Sequence, residues 1–285
     1  MSATPASSET ARNVPADLLA RLLVKPHPLV MGILNVTPDS FSDGGRFIEP
    51  NAALAQARRL AAEGADIIDV GAESTRPYGS VPVALDEEFK RLARVLPTVT
   101  TLGVPVSIDT MKSAVAAWAI ENGAAIVNDV WGLQRDPDMA RVVADHRVPV
   151  VIMHNRDKED PAIDIVADVA AFFDRSLDIA ARAGIARERI VLDPGIGFGK
   201  TMEQSIICIA RLAAWKSFGL PLLIGASRKR FIHGVRDAPD SAQRLGGSLA
   251  AHLLAVENGA IIVRAHDVGP TVQALAVAGA IRRAQ

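Results

Sequence analysis

Eight short apolar stretches, each rich in β-branched residues, recur along the chain with helical stretches between them. They occupy residues 29–34, 67–70, 104–108, 125–127, 149–153, 190–192, 222–224 and 261–263. Their apolar character is nearly continuous rather than alternating, which is typical of parallel strands buried on both faces. No linker is long enough to separate two domains, so eight βα units predict one α/β domain, a (β/α)8 TIM barrel. A doubly wound open sheet is the competing architecture.

Three segments repeat one type of joint between a helix and the next strand. Residues 62–68, 120–127 and 256–263 each contain a helix end, a glycine and the start of an apolar stretch. The glycines are Gly64, Gly123 and Gly259, and each is predicted to end its helix in the left-handed conformation.

Length and charge narrow the possible functions. The chain has 285 residues, and 31 basic against 32 acidic residues leave a net charge of -1, which argues against a nucleic-acid or membrane surface. A single cysteine, Cys208, excludes an intrachain disulfide framework. Residues 1–27 are expected to be a disordered or loosely ordered leader, and residues 28–285 the catalytic barrel. No export signal is visible, so a cytoplasmic location is expected.

Every predicted strand is followed by hydrogen-bonding or charged residues. These residues are Asn35, 73–76, Asp109, 128–129, 154–155, Asp193, 227–229 and 264–267. Loop residues are often polar simply because they are exposed. In a barrel, however, the carboxyl ends of all eight strands meet at one rim, where reacting groups lie.

The rim residues divide into two chemical groups. A cationic group with one amide suits a multiply charged anion such as pyrophosphate beside a hard cation; it consists of Asn35, Arg76, Lys229, Arg264 and His266. Asp109, Asn128 and Asp193 instead suit the donor-rich edge of a flat heterocycle, a base or a pterin. Two alternatives remain open: Asp109 could cap a helix near Met111, and His266 could be an ordinary buried histidine.

The glycine-rich stretch DPGIGFGKT, residues 193–201, matches neither common nucleotide motif. A phosphate-binding P-loop needs a glycine where Pro194 stands, and a dinucleotide fingerprint needs one at Lys200. The glycines are therefore interpreted as allowing a tight turn beside a flat ligand, to which Phe198 offers a ring face.

Seven blocks in order resemble the dihydropteroate synthases, from about residue 29 to the C-terminus. They are GILNVTPDSFSDGG (32–45), ESTRP (73–77), SIDT (107–110), NDV (128–130), DPGIGFGKT (193–201), SRK (227–229) and HDV (266–268). The resemblance implies a (β/α)8 barrel that joins 6-hydroxymethyl-7,8-dihydropterin pyrophosphate to p-aminobenzoate and releases pyrophosphate with Mg2+. It also implies a homodimer.

The resemblance further assigns roles to individual positions. The pterin would be held by Asp109, Asn128, Met153, Asp193, Gly225 and Lys229, of which Asp109, Asp193 and Lys229 would be catalytic. Pyrophosphate would be held by Asn35, Arg76, Arg264 and His266, with Asn35 also on the metal. The p-aminobenzoate would be bordered by Phe41, Thr75, Pro77, Phe198 and Ser227, and residues 37–45 would form a lid over it.

Four residues depart from the pattern of that family, namely Ala72, Tyr78, Ser205 and Ala265. None replaces an assigned ligand, although Tyr78 adds bulk near the expected p-aminobenzoate site. Two other functions are compatible with parts of the sequence pattern. Corrinoid-linked methyltransferases share the pterin-binding barrel but lack the TPDSFSDGG segment, and a non-catalytic paralogue could bind a pterin or a partner protein.

Overall fold

A computed structural model of the chain describes residues 17–37, 50–73 and 82–285. Within these ranges, parallel strands form one sheet. The strands are β1 (Leu29–Asn35), β2 (Ile67–Gly71), β3 (Val106–Asp109), β4 (Ile126–Asp129), β5 (Val150–Met153), β6 (Ile190–Asp193), β7 (Leu223–Ile224) and β8 (Ile262–Ala265). Each overlaps one predicted stretch, and several extend to include the polar residue that follows it.

The sheet closes on itself. β1 pairs with both β2 and β8, and the remaining neighbours are consecutive in the chain. Between β6 and β7, the Leu192 N–H donates to the Pro221 carbonyl oxygen at 2.9 Å, and Leu192 bridges Leu222. A closed parallel sheet confirms the predicted barrel and excludes the open doubly wound sheet.

Helices follow the strands around the outside of the barrel, except the first helix, which precedes β1 and packs at the amino-terminal end. They are α1 (Leu18–Leu23), α2 (Pro50–Ala62), α3 (Leu85–Ala93), α4 (Leu96–Val99), α5 (Ser113–Glu121), α6 (Met139–His146), α7 (Ile165–Ala183), α8 (Met202–Ala210), α9 (Arg230–Val235), α10 (Leu245–Glu257) and α11 (Val268–Arg283). Short 3₁₀ helices occupy Arg187–Arg189, Leu212–Phe218 and Ser241–Arg244. Alternate strand residues such as Val30 and Ile68 share one core with α2 residues such as Leu60.

The three predicted joints have one geometry. Gly64, Gly123 and Gly259 have φ angles of 96°, 98° and 111°. At each joint the residue after the glycine donates to a carbonyl five residues back, as Ala65 does to Leu60 at 3.0 Å. Such bonds satisfy the last carbonyls of a helix, and the positive φ explains why glycine stands there.

The amino-terminal end of the barrel is filled by apolar side chains from β1, β2, β4, β5, β6, β7 and β8. This layer, the apolar plug, consists of Leu29, Met31, Ile67, Ile126, Val151, Val191, Leu223 and Ile262. Leu18, Leu19 and Leu22 of α1 are buried against it. Residues 17–23 belong to the segment expected to be a loose leader, yet they pack as part of the barrel core because three leucines lie on one helix face.

Candidate functional site

The pleat of the strands explains where the polar residues lie. Two positions after each inward apolar residue, a strand side chain returns to the same face. From Ile67, Ile126, Val151, Val191, Leu223 and Ile262, this step leads to Asp69, Asn128, Met153, Asp193, Gly225 and Arg264. Five of these six residues are in the set assigned from sequence, and they form the layer above the apolar plug.

Arg264 is the centre of a buried polar network. Its Nε donates to Asp69 Oδ2 at 2.6 Å and its Nη2 to Asp109 Oδ2 at 2.6 Å. The amide of Asn128 also donates to Asp69 Oδ2, at 3.0 Å. β2, β3, β4 and β8 therefore contribute to one network inside the barrel mouth.

Two carboxylate oxygens in this network, Asp69 Oδ1 and Asp109 Oδ1, are buried without a hydrogen-bond partner among the described residues. Burial raises the pKa of the Asp109 carboxyl to about 7, against the opposing pull of Arg264. Unpaired buried acceptors are costly, so a site that retains them is suited to a ligand with N–H donors.

Asp109 does not cap a helix. α5 begins at Ser113, whose N–H donates to Asp136 Oδ2 at 2.7 Å, while the Asp109 carboxylate binds Arg264. The helix-cap alternative is therefore wrong for this residue.

Asp193 and Lys229 form the opposite side of the site. Asp193 Oδ1 accepts from the Gly195 N–H at 2.7 Å, and burial raises the pKa of the Asp193 carboxyl to about 6. Burial lowers the pKa of Lys229 to about 7, with Arg264 acting in the same direction. The Lys229 Nζ lies 4.0 Å from the centre of the Phe198 ring, a cation–π contact.

An apolar wall completes this side of the site. Val130, Met153 and Phe198 are buried together, and Met111 and Trp131 pack against them. A flat ring system seated against such side chains buries its faces while its edge meets the carboxylates.

Ser227 and His266 meet at the ends of β7 and β8. Ser227 Oγ accepts from the His266 backbone N–H at 3.1 Å and lies 3.0 Å from its ring Nδ1. Arg228 between Ser227 and Lys229 has a φ of 57° and binds Asp267 with two hydrogen bonds, at 3.0 and 2.6 Å. The left-handed conformation of Arg228 therefore sets the directions in which the side chains of Ser227 and Lys229 project from the backbone.

Residues 193–200 form a loop that packs on the end of β5. A Cβ at Gly195 would lie 1.9 Å from the His154 carbonyl oxygen, and one at Gly199 would lie 2.5 Å from that of Arg156. Close packing against backbone therefore accounts for both glycines. α8 begins after this loop with a capping box between Thr201 and Gln204.

Sequence reasoning assigned no role to three buried polar residues. Asp69 stands inside an apolar strand, and a carboxylate at such a position was the signal that could have identified it. His154 and Lys200 are hydrogen-bonded to each other beneath the 193–200 loop. Phe41, Thr75, Arg76 and Pro77, which the sequence assigned to the site, lie outside the described residues, as does Tyr78.

Residues 31–266 match the family described as pterin binding enzyme. The chain belongs to the pterin-binding enzyme family. A dihydropteroate synthase of Bacillus subtilis (strain 168) is 46% identical over 248 residues, which are 87% of this chain and 86% of that protein. These findings confirm the resemblance drawn from the seven sequence blocks.

Solved structures agree with this pterin-binding enzyme in fold. Dihydropteroate synthase from Xanthomonas albilineans with 4-aminobenzoic acid superposes with a TM-score of 0.86 at 44% identity, covering 90% of this chain and 94% of that one. The same enzyme in complex with 7,8-dihydropteroate gives 0.82 at 42% identity, with the same coverage.

Three residues that depart from the family pattern are buried in this pterin-binding enzyme without disturbing the site. Ala72 follows β2 and Ala265 ends β8, both with no exposed surface. Ser205 in α8 donates its hydroxyl to the Thr201 carbonyl oxygen at 2.9 Å. Small side chains fit each position, and no assigned ligand is displaced.

Asn35 ends β1 and is half-buried at the rim. Among the described residues, no group of three or more His, Cys, Asp or Glu side chains could hold a metal ion.

Within the same ranges, no helix has the length and apolar character needed to cross a membrane.

Proposed function

We propose that this site catalyses the dihydropteroate synthase reaction, joining 6-hydroxymethyl-7,8-dihydropterin pyrophosphate to p-aminobenzoate. The observation that carries the proposal is the pair of unpartnered oxygens, Asp69 Oδ1 and Asp109 Oδ1, beside the cations Arg264 and Lys229. A donor-rich ring with an anionic arm matches both features at once, because its N–H groups face carboxylates while its phosphates face cations.

The pterin half is assigned to the layer above the apolar plug. Asp109 and Asp193 accept from ring N–H groups, and Asn128 supplies an amide for the ring edge. Met153 and Gly225 line the pocket: an ideal Cβ at Gly225 would come within 3.9 Å of Asp193 Oδ2 and 4.0 Å of the Arg264 side chain, so glycine leaves this corner open. Lys229 completes the set over the Phe198 ring.

The pyrophosphate half is assigned to Asn35, Arg264 and His266, together with Arg76. The Asn35 amide oxygen is a hard, neutral ligand, so it fits Mg2+ that takes its other ligands from pyrophosphate oxygens and water. Bound there, Mg2+ would offset the charge of the departing pyrophosphate. Burial lowers the pKa of His266 to about 3, so in the ligand-free site this histidine is a neutral hydrogen-bonding group.

The reaction needs no protein nucleophile. The C–O bond of the pterin methylene breaks, pyrophosphate leaves with the electron pair, and the arylamine nitrogen then forms the C–N bond and loses a proton. The Asp109 and Asp193 carboxylates stabilise the positive charge on the pterin between these steps. Ser227 and Phe198, with Phe41, Thr75 and Pro77, border the p-aminobenzoate.

The test is to incubate the purified protein with both substrates and Mg2+ and to measure dihydropteroate and pyrophosphate. Equal amounts of both products are expected, with none when either substrate is omitted. Complementation of a bacterial strain that lacks its own synthase is expected in parallel. Pterin binding without turnover would instead indicate a non-catalytic paralogue, and methyl transfer from methyltetrahydrofolate to a corrinoid would indicate a methyltransferase.

We also propose that the protein acts as a homodimer in the cytoplasm. Met202, Ile206 and Ile207 of α8 and Leu254 of the adjacent α10 are partly exposed apolar residues, which supports a contact between copies on this face. Analytical ultracentrifugation that finds a monomer at micromolar concentration would contradict the dimer.

A further inference from the structure

Two side chains that can carry positive charge are buried together beneath the loop of Asp193. Lys200 is 3% exposed and His154 is fully buried. The Lys200 Nζ lies 2.6 Å from His154 Nδ1 and donates to the Phe198 carbonyl oxygen at 3.1 Å. Burying an amine and an imidazole costs free energy, and neither side chain belongs to the set that meets the substrates.

The hydrogen bonds define the state of the histidine. Because the Lys200 ammonium donates to Nδ1, the imidazole is neutral and carries its proton on Nε2, which donates to Asp168 Oδ2 at 3.0 Å. Burial lowers the pKa of His154 to about 3, which agrees with a neutral ring. Asp168 also binds Arg156 Nη1 at 2.9 Å. A relay of Lys200, His154 and Asp168 therefore runs from the 193–200 loop to α7.

This relay holds the backbone from which two site residues project. The His154 N–H donates to the Asp193 carbonyl oxygen at 2.8 Å, and Gly195 packs on the His154 carbonyl. Gly195 in turn donates its N–H to the Asp193 carboxylate. At the other end of the loop, Lys200 holds the carbonyl of Phe198, whose ring contacts Lys229.

We propose that Lys200, fixed by His154 and Asp168, is a positioning residue that sets the Asp193 carboxylate and, through the Phe198 ring, the Lys229 side chain for binding of the pterin substrate. It acts through the 193–200 loop and does not contact the substrate. This inference rests on the proposed function, since it takes the Asp193 side of the site as the pterin pocket.

The experiment compares Lys200→Met, which keeps the length but removes the charge and donors, with Lys216→Met at an exposed position. Binding of 6-hydroxymethyl-7,8-dihydropterin pyrophosphate is measured by calorimetry without p-aminobenzoate, so the result does not depend on turnover. Lys200→Met is expected to raise Kd by about tenfold or more, as misplacement of a binding group does, and Lys216→Met to leave it unchanged. Lys200→Arg, which retains charge and donors, is expected to recover part of the affinity.

A double-mutant cycle separates positioning from general damage. In an Asp193→Asn background, Lys200→Met is expected to change Kd by less than about twofold, because the group it positions is already altered. Wild-type affinity in Lys200→Met would overturn the proposal. So would a double variant whose Kd rises by the product of the two single-variant increases. If Lys200→Met does not fold, Asp168→Asn at the partly exposed end of the relay replaces it. An unchanged Kd in Asp168→Asn would equally contradict the relay. Absence of turnover by the wild-type protein, by contrast, would contradict only the proposed function.

Discussion

The buried charges of the site are retained at a cost to stability. Asp69, Asp109, Asp193, Lys229 and Arg264 share a region where apolar residues of similar volume would pack without desolvating an ion. Burial moves the pKa of the Asp109 and Asp193 carboxyls up and that of Lys229 down. Each of these three shifts favours the neutral form, so these three residues serve ligand binding rather than the stability of the fold.

Lys229→Ala is expected to lower kcat/KM by about tenfold or more without loss of fold. The pKa of Lys229 is lowered from 10.5 to about 7, so between these values folding releases a proton and stability rises with pH. Lys229→Ala is expected to lack this increase of stability with pH. Steady-state kinetics and thermal unfolding from pH 7 to 10 test both effects, with exposed Lys158→Ala as the control. Unchanged turnover would remove Lys229 from the site.

Asp109→Asn is expected to abolish most activity and to change how the melting temperature depends on pH. The folded pKa of Asp109, about 7, lies above its ordinary 3.8, so the wild-type protein loses stability as pH rises through this window. The melting temperature of the variant relative to wild type is thus expected to increase from pH 4 to 7, by several degrees in total. Exposed Asp174→Asn is the control, and a difference that does not vary with pH would refute the assignment.

At the scale of elements, the joints were predictable and α1 was not. A glycine between a helix end and a strand start is a local signal, since the left-handed conformation depends on one residue. α1 depends on distant partners: Leu18, Leu19 and Leu22 are buried against strands from all around the barrel. A six-residue helix has little intrinsic stability, so its order comes from packing that sequence periodicity did not reveal.

Gly64→Ala tests the joint. An alanine at a φ of 96° is strained even though its Cβ would meet only ordinary contacts at 3.5 Å or more, so a loss of about 1–2 kcal/mol in unfolding free energy is expected. Gly246→Ala in α10, where a Cβ would meet nothing within 4 Å, is expected to gain about 0.5–1 kcal/mol. Urea denaturation measures both, and equal effects of the two substitutions would argue against conformational strain.

For the whole molecule, the barrel was predictable because each strand is a local apolar signal and eight βα units in one domain favour a closed barrel over an open sheet. The rim residues were predictable for the same reason, since every strand contributes its end. The buried hydrogen bonds that join distant residues were not predictable from the sequence. Arg264 binds Asp69 across 195 positions of sequence, and His154 binds Lys200 across 46. Pairings between residues so far apart depend on the closed barrel, which places β2 and β8 on either side of β1.

Four residues that the sequence assigns to the substrate site belong to two segments outside the described residues. Residues 38–49 carry Phe41, and residues 74–81 carry Thr75, Arg76 and Pro77. Glu73 precedes the second segment, and its carboxylate accepts from Lys112 Nζ at 2.7 Å and from the Val83 N–H at 3.0 Å. The sequence predicts that residues 37–45 close as a lid, and closing it would cost about 1 kcal/mol or more per residue ordered, which a small benzoate would not offset alone.

Pyrophosphate with Mg2+ is therefore expected to raise the affinity for p-aminobenzoate. The anion would engage Asn35 before one segment and Arg76 within the other, so the ordering cost would be met before the second substrate arrives. Because binding free energies are linked, p-aminobenzoate must raise the affinity for pyrophosphate by the same factor. Calorimetric titration of p-aminobenzoate with and without magnesium pyrophosphate measures the coupling, and the reverse titration supplies the control. Equal affinity in both runs would show that the p-aminobenzoate site is already formed in the free protein.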